Sequence, residues 1–487
     1  MAQVRITCLG EEERQELHEH ALRVLREVGV GYNTPAAIDL LAAAGARVDR
    51  ERLRAWLPRE LVEACLATCP RQVRLAARDP RRDVVVGDGS LTFCADGTAT
   101  YMYDDVSGRR EEGSAAWLRQ TMRLYDALPE LDYAWPTISA RDFNPLTAGL
   151  EIEALALDNF TKHLQDEVRE PEHAGPLLEI LEAVAGAPLR ERPIFSTIDC
   201  TVAPLQHDRQ MTEATLAMAK AGVPVLVLPM PLMGTTAPLS VMGTMVVLLA
   251  ELLSAVVLFQ LASPGCGIIS GMGAGVADLR SGLYLCGTPE CAVMNVVGVE
   301  MSRFYGLPSL ASAVTCDAKA ANYQAGAEGM LTAVPSVLAG ADTVLAFGCA
   351  DGAQTLSFAK VILDCDAVAA LRRLARPEGT GAADVLLEDI AAVGVGGHYL
   401  ARRSTRRLAR SGAVWQPRVW QRGSFEQHAG SPLVEDAARQ AAALLAAHEV
   451  PPLPDDVAAE VDRIIERYAR RAGAPQQRVR WREEERA

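Results

Sequence analysis

The polar residues best placed to do chemistry in this chain stand where short β-rich runs end. They are His163 and Asp166, Asp199, Thr235 and Thr236, Ser270, Asp317 and Lys319, and Cys349 and Asp351. Imidazole, carboxylate and amine groups can act as general acids and bases, and thiols and hydroxyls as nucleophiles. Each one alone reads more readily as a satisfied polar residue or a helix cap than as a catalyst. What joins them is position, because β/α barrels keep their chemistry in the loops at the carboxyl ends of the strands. A second group is aromatic. Rings make up only 5% of the chain, yet Tyr101, Tyr103, Trp135, Phe143, Phe195, Tyr323, Phe347 and Tyr399 fall near these loops. A ring face attracts a cation, more strongly where water is excluded. Several rings around one acidic mouth suit a quaternary ammonium group, with core packing as the alternative for each ring.

Other chemistries lack their signatures. There is no P-loop, GxSxG, HExxH, EF-hand or DxHxxG motif. GMGAGVADL (Gly271–Leu279) lacks the full spacing of a dinucleotide loop. The 11 cysteines form no CxxC pairs or His/Cys clusters. That predicts reduced thiols in a cytoplasm and no metal site. A net charge of −14 argues against nucleic acid or an anionic membrane as a partner. Only four of the 48 basic residues are lysines, a bias read as base composition rather than function.

The elements that must position these residues centre on Gly222–Gly275. Val225–Leu228 is a short strand stopped by Pro229 and Pro231, since proline cannot donate to a ladder. Leu239–Leu261 is a helix with one charge, Glu251, in 23 residues. Its length permits a membrane span. Its place inside a βαβ unit, and a Met1–Gly10 segment with no apolar core, predict a buried helix of a cytoplasmic protein instead.

The same alternation runs on both sides. Strands are predicted at Tyr133–Ser139, His163–Glu167, Pro193–Ile198, Val225–Leu228, Gly267–Ser270, Pro308–Ala313 and Thr343–Phe347, with helical patterns between them. Seven such units predict an α/β fold, a single (β/α)8 TIM-type barrel, with Val393–Tyr399 as the eighth strand. An open doubly wound sheet is the alternative. The predicted organisation is an N-terminal helical cap and small sheet over 1–131, the barrel over 132–400, and a helical extension over 401–487. Pro432–His448 and Asp455–Ala472 form its helices.

These residues carry a resemblance. The chain from Leu17 to about Arg471 resembles the trimethylamine methyltransferase superfamily. The matching segments are LHEHALRVLREVGVGY (Leu17–Tyr32), APLQHD (Ala203–Asp208), PMPLMGTTAPLS (Pro229–Ser240), ADLRSG (Ala277–Gly282), TPE (Thr288–Glu290), CDAKAANYQA (Cys316–Ala325) and GVGGHYL (Gly394–Leu400). Founding members carry pyrrolysine in a loop after the strand corresponding to Thr343–Phe347. Here that loop reads GCADGAQ (Gly348–Gln354), is shorter and offers no equivalent, so the chain resembles the non-pyrrolysine branch that includes glycine betaine methyltransferases. The family also continues its GGHYL segment with further histidines, where this chain has ARRSTRR (Ala401–Arg407).

The resemblance implies methyl transfer from a quaternary or tertiary methylamine to Co(I) of a corrinoid on a separate protein. The chain itself is expected to bind no corrinoid, flavin, nicotinamide or metal. Its expected partners are the corrinoid protein, a small methylated amine and further copies of itself in a homo-oligomer. In that reading Asp317 and Asp351 hold the ammonium, and His398 or an arginine of 401–407 holds a substrate carboxylate. Tyr323 and Phe347 form the cage, with Cys349, His163, Thr235 and Ser270 completing the substrate-binding set. Asp317, Tyr323 and the Gly348–Gln354 loop are expected in one pocket, with His398 nearby. Two alternatives remain. One is a barrel lyase using His163 or Lys319 as base. The other is a catalytically silent binding protein for a methylated amine.

Overall fold

A computed structural model describes residues 4–97, 99–105, 107–428, 430, 432–474 and 481–482. Eight parallel strands close into a barrel. In chain order they are β1 (Thr92–Ala95), β2 (Tyr133–Ala134), β3 (His163–Glu167), β4 (Phe195–Asp199), β5 (Val225–Val227), β6 (Ile268–Met272), β7 (Ser309–Ser312) and β8 (Thr343–Ala346). Each pairs with its neighbour, and β8 returns to β1 through Thr343 opposite Thr92 and Ala346 opposite Ala95. The helices that follow them are α1 (Ala115–Ala127), α2 (Ala148–Asp158), α3 (Pro171–Ala185), α4 (Arg209–Lys220), α5 (Val241–Ala262), α6 (Pro289–Tyr305), α7 (Tyr323–Ala339) and α8 (Phe358–Ala375).

All seven predicted strands lie in the barrel. The eighth does not lie where the sequence placed it. Gly394 and Gly396 both take positive φ, and Val395–Leu400 is exposed with no ladder partner. The closing strand is β1, from the stretch expected to form part of a separate N-terminal sheet. That alternating stretch splits three ways. Val73–Leu75 and Val84–Val86 make a hairpin, Thr92–Ala95 joins the barrel, and Tyr101–Asp104 pairs with Arg109–Glu112 and Thr355–Ser357. Period-two alternation is identical for all three, so only tertiary pairing separates them.

Inside the barrel Cys94, Tyr133, Ile198, Leu226, Ile269, Leu310 and Leu345 form one core, which the Val73, Leu75 and Val86 side chains close at the amino-terminal end. Among the described residues one helix, α5, is long and apolar enough to cross a membrane. Here it is a core helix, and its Glu251 accepts hydrogen bonds from the Thr201 hydroxyl and from the Leu205 amide at 2.8 Å. The helix's one charge thus fixes the loop that follows β4. Leu433–Ala447 packs on α8 and Asp455–Ala472 on α3, both outside the barrel.

Candidate active site

Side chains alternate between barrel interior and helix layer along each strand, so residue parity decides what reaches the mouth. On β3 the inward residues are His163, Gln165 and Glu167, rising from the closed end to the open one. His163 is fully buried near the bottom. Its Nδ1 lies 2.8 Å from the Ala76 carbonyl, which can only accept, so Nδ1 carries the proton. Nε2 then accepts from the Ser196 hydroxyl at 2.8 Å, and the Gln165 amide donates to that hydroxyl at 2.8 Å. Trp135 Nε1 donates to Gln165 Oε1 at 2.8 Å. This buried chain is fully satisfied, and burial pushes the His163 imidazole down to about 4. His163 is a neutral strut of the barrel core, far below the mouth.

At the carboxyl ends the barrel opens into a cavity of about 440 Å³. Every strand contributes to it or to the loop beyond it. Asp96 and Gly97 follow β1, Trp135 follows β2, Glu167 ends β3, Cys200 follows β4, Leu228 follows β5, Gly273 follows β6, Ser312 ends β7, and Leu345 lies on β8. Met230, Leu232, Tyr284, Cys286 and Thr315 complete the wall with Gly352 and Ala353.

Asp96 accepts from the Gly97 amide at 2.9 Å and from the Thr315 hydroxyl, and burial holds its carboxyl above the usual range. Glu167 accepts from the Cys200 thiol at 3.1 Å and from Arg169 Nε at 3.1 Å. Burial, then the Glu167 charge, pushes the Cys200 thiol well up. Cys200 is therefore a donor here and not a thiolate.

Both rings at the mouth are seated over glycine. A Cβ on Gly97 would fall 1.6 Å from a Trp135 ring carbon, and one on Gly275 would fall 2.2 Å from a Tyr284 ring carbon. Tyr284–Leu285 is a strand of a small sheet with Gly275–Ala277 and Leu232–Met233, built on the loops after β5 and β6. The glycines of GMGAG serve close packing of this sheet.

Asp317 does not line the cavity but fixes one of its walls. Its carboxylate accepts from the Cys286 amide at 2.9 Å and the Gly287 amide at 3.0 Å. That pins the chain directly after the Tyr284–Leu285 strand. Asp317→Ala leaves two amides without their acceptor, a loss of about 1–3 kcal/mol. Chemical denaturation should show that loss, and ligand affinity should fall as Tyr284 loses its anchor. Asp351 forms ion pairs with Lys319 and with Arg110, the latter at 3.1 Å, beside the cavity loop. Lys319 is consequently a paired surface lysine.

The remaining expected site residues are not brought to the mouth. Tyr323 is 91% exposed at the start of α7 and borders a separate cavity with Lys360 and Trp420. Phe347 is buried in the helix-layer core, and its carbonyl accepts from Tyr125 at 3.1 Å. Cys349 is buried beneath the loop in a short strand opposite Leu356. Ser270 points outward and accepts from the Ser302 hydroxyl at 2.8 Å. Thr235 is exposed on a turn. His398 is exposed on the segment beyond α8, so the expected single pocket does not form. Asp166 and Asp199 are one residue out of register with the mouth. Asp166 faces Glu153 of α2, and Asp199 lies 3.8 Å from His207 under α5. Glu167 and Cys200, their chain neighbours, are the residues that reach the cavity. Of the rings noted in the sequence Trp135 is in place. Tyr284 was not singled out, because it follows no barrel strand directly.

A family model described as trimethylamine methyltransferase matches residues 2–473. Glycine betaine methyltransferase of Desulfitobacterium hafniense (strain Y51) is 28% identical over 407 residues, covering 83% of this chain and 84% of that protein. Trimethylamine methyltransferase MttB of Desulfitobacterium hafniense (strain DSM 10664 / DCB-2) is 27% identical over 462 residues, covering 94% and 93%. The Methanosarcina barkeri monomethylamine methyltransferase (MtmB) crystal structure has the same fold, with a TM-score of 0.52 and 11% identity over 96% of this chain and 88% of that one.

Proposed function

The chain belongs to the trimethylamine methyltransferase family, and on that premise we propose that its barrel mouth moves a methyl group from a quaternary or tertiary methylated amine to the corrinoid of a separate protein. The observation that carries this reading is the cavity itself, with two ring-bearing residues and two carboxylates converging at the carboxyl ends of the strands.

A quaternary nitrogen leaves as a neutral amine, so the C–N bond can break with its electron pair on nitrogen and no general acid is needed. The chain's task is then to bind, aim and dry the substrate. Trp135 and Tyr284 present ring faces to the cation, each worth about 0.5–2 kcal/mol when desolvated. Asp96 and Glu167 add negative charge. Leu228, Met230, Leu232 and Leu345 exclude water, which strengthens both effects. Holding one methyl toward the opening supplies the positional part of the acceleration.

In this reading the acceptor is a corrinoid carried by a separate protein. A cavity of about 440 Å³ is of the size that takes a small ligand. The corrinoid supplies the cobalt nucleophile when its protein docks at this mouth.

The test is methyl transfer from a panel of methylated amines to a reduced corrinoid protein, followed by the loss of Co(I) absorbance. Trp135→Leu should lower the rate at least about 100-fold, through the loss of one desolvated ring and of the orientation it imposes. Tyr323→Leu, which removes a ring from a different surface, should leave it unchanged. Binding without transfer across the panel, with the corrinoid protein present, would instead support the silent binding protein.

A further inference from the structure

Resting on that reading of the barrel mouth, we infer that the cavity selects a methylated ammonium compound without a carboxylate, a choline-like quaternary ammonium alcohol or a simple tetraalkylammonium, over a betaine. The two charged side chains that line it, Asp96 and Glu167, are both acidic. Among the described residues lining it there is no lysine, arginine or histidine.

The donors at the mouth are also committed. The Gly97 amide and the Thr315 hydroxyl both donate to Asp96. The Cys200 thiol donates to Glu167, and the Cys286 thiol to Asp317 at 3.4 Å. Arg169 is the cation beside the site, but its Nε is held by Glu167, and the residue borders a different cavity with Glu153 and His173. A substrate carboxylate entering here would face two carboxylates and, apart from neutral hydroxyls such as that of Ser312, would have to take a donor from one of them. Like charges brought together in a desolvated site discriminate strongly against the wrong ligand.

A trimethylammonium group meets the opposite situation. Asp96 has no ion-pair partner among the described residues, although Glu167 already has Arg169. A cation seated between Trp135 and Tyr284 completes the Asp96 charge. Ser312 lines the same cavity and offers a neutral hydroxyl to an alcohol oxygen. The groups expected from sequence to hold a carboxylate are elsewhere. His398 is exposed beyond the barrel, and Arg402 is paired with Asp389.

The test is isothermal titration of the full chain with tetramethylammonium, choline, glycine betaine and 3,3-dimethylbutanol, the neutral isostere of choline. Choline and tetramethylammonium should bind on the order of 30-fold more tightly than glycine betaine or the neutral alcohol. Asp96→Asn, which keeps an oxygen for Thr315, should cost choline about tenfold and narrow its lead over the neutral alcohol. Glycine betaine binding as tightly as choline overturns the inference, and so does a folded Asp96→Asn chain with unchanged choline affinity. If the variant does not fold, the wild-type series decides alone. The same compounds then go into the transfer assay. Selective choline binding with no transfer from any amine leaves the selectivity standing and removes the methyltransferase reading of the cavity. Efficient transfer from betaine in preference to choline does the reverse.

Discussion

Gly97→Ala should leave the barrel folded and reduce methyl transfer by at least about 100-fold. The added methyl would sit 1.6 Å from one Trp135 ring carbon and 2.1 Å from the next, so the indole must move. Its position is fixed on the other side by the 2.8 Å bond from Nε1 to Gln165, whose amide also holds Ser196. Movement therefore breaks a buried hydrogen bond and withdraws a ring face from the cavity together. A displacement of about 1 Å at a positioning group is enough for a hundredfold loss where catalysis rests on orientation. Gly175→Ala on α3 is the control, because a Cβ there meets nothing within 4 Å. Circular dichroism should match wild type for both variants, with the loss of transfer confined to Gly97→Ala. Wild-type transfer by Gly97→Ala would remove Trp135 from the site.

The second large effect is on stability in acid. His163 is neutral in the folded barrel and titrates only at about 4, whereas an unfolded imidazole titrates near its ordinary value of 6.5. Below pH 6.5 the unfolded chain takes up a proton that the folded chain refuses. The stability this group confers is therefore complete above pH 6.5 and is lost as pH falls toward 4. By pH 4 the loss is about 3 kcal/mol. His207, buried and stacked on Tyr32, is held down to about 3 and acts in the same direction. Asp199 and Asp166, raised by burial to about 7 and about 6, act in the opposite direction, because the folded state binds their protons first.

A difference measurement removes these other groups. The stability of wild type minus that of His163→Gln should fall by about 3 kcal/mol between pH 7 and pH 4, whatever the substitution costs at neutral pH. Urea titrations of both chains across that range measure it. A difference that stays constant would mean that the folded protein protonates His163 as readily as the unfolded chain does. Its partners make that costly, since a second ring proton would point at the Ser196 hydroxyl, which already receives the Gln165 amide.

The sequence alone determined the repeating unit of this protein. Short apolar runs bounded by proline and glycine, alternating with helical patterns, carry the period-two and period-3.6 signals that local backbone geometry imposes. Seven of the eight barrel strands and the buried α5 were legible for that reason. The family was legible too, in segments such as CDAKAANYQA and PMPLMGTTAPLS. Three things were decided only by tertiary structure.

The first is closure. β1 is four residues inside a stretch whose alternation fits any sheet, and its pairing with β8 joins Thr92 to Thr343 across some 250 residues of chain. No local pattern encodes a partner at that distance. The second is parity. Shifting by one residue along a strand turns a side chain from the barrel mouth to the helix layer. Asp166, Asp199 and Ser270 therefore face helices, while their neighbours Glu167 and Cys200 reach the cavity. The same strand that ends in Glu167 begins with His163, so an imidazole on the inward face became part of the closed floor. The third is the arrival of Tyr284. It hangs from a small sheet beyond β6 and lies over Gly275, and the Cys286 and Gly287 amides just beyond it are held by Asp317 from the loop after β7. Those contacts join the loops after β6 and β7, and they exist only once the barrel has brought the ends of its strands together.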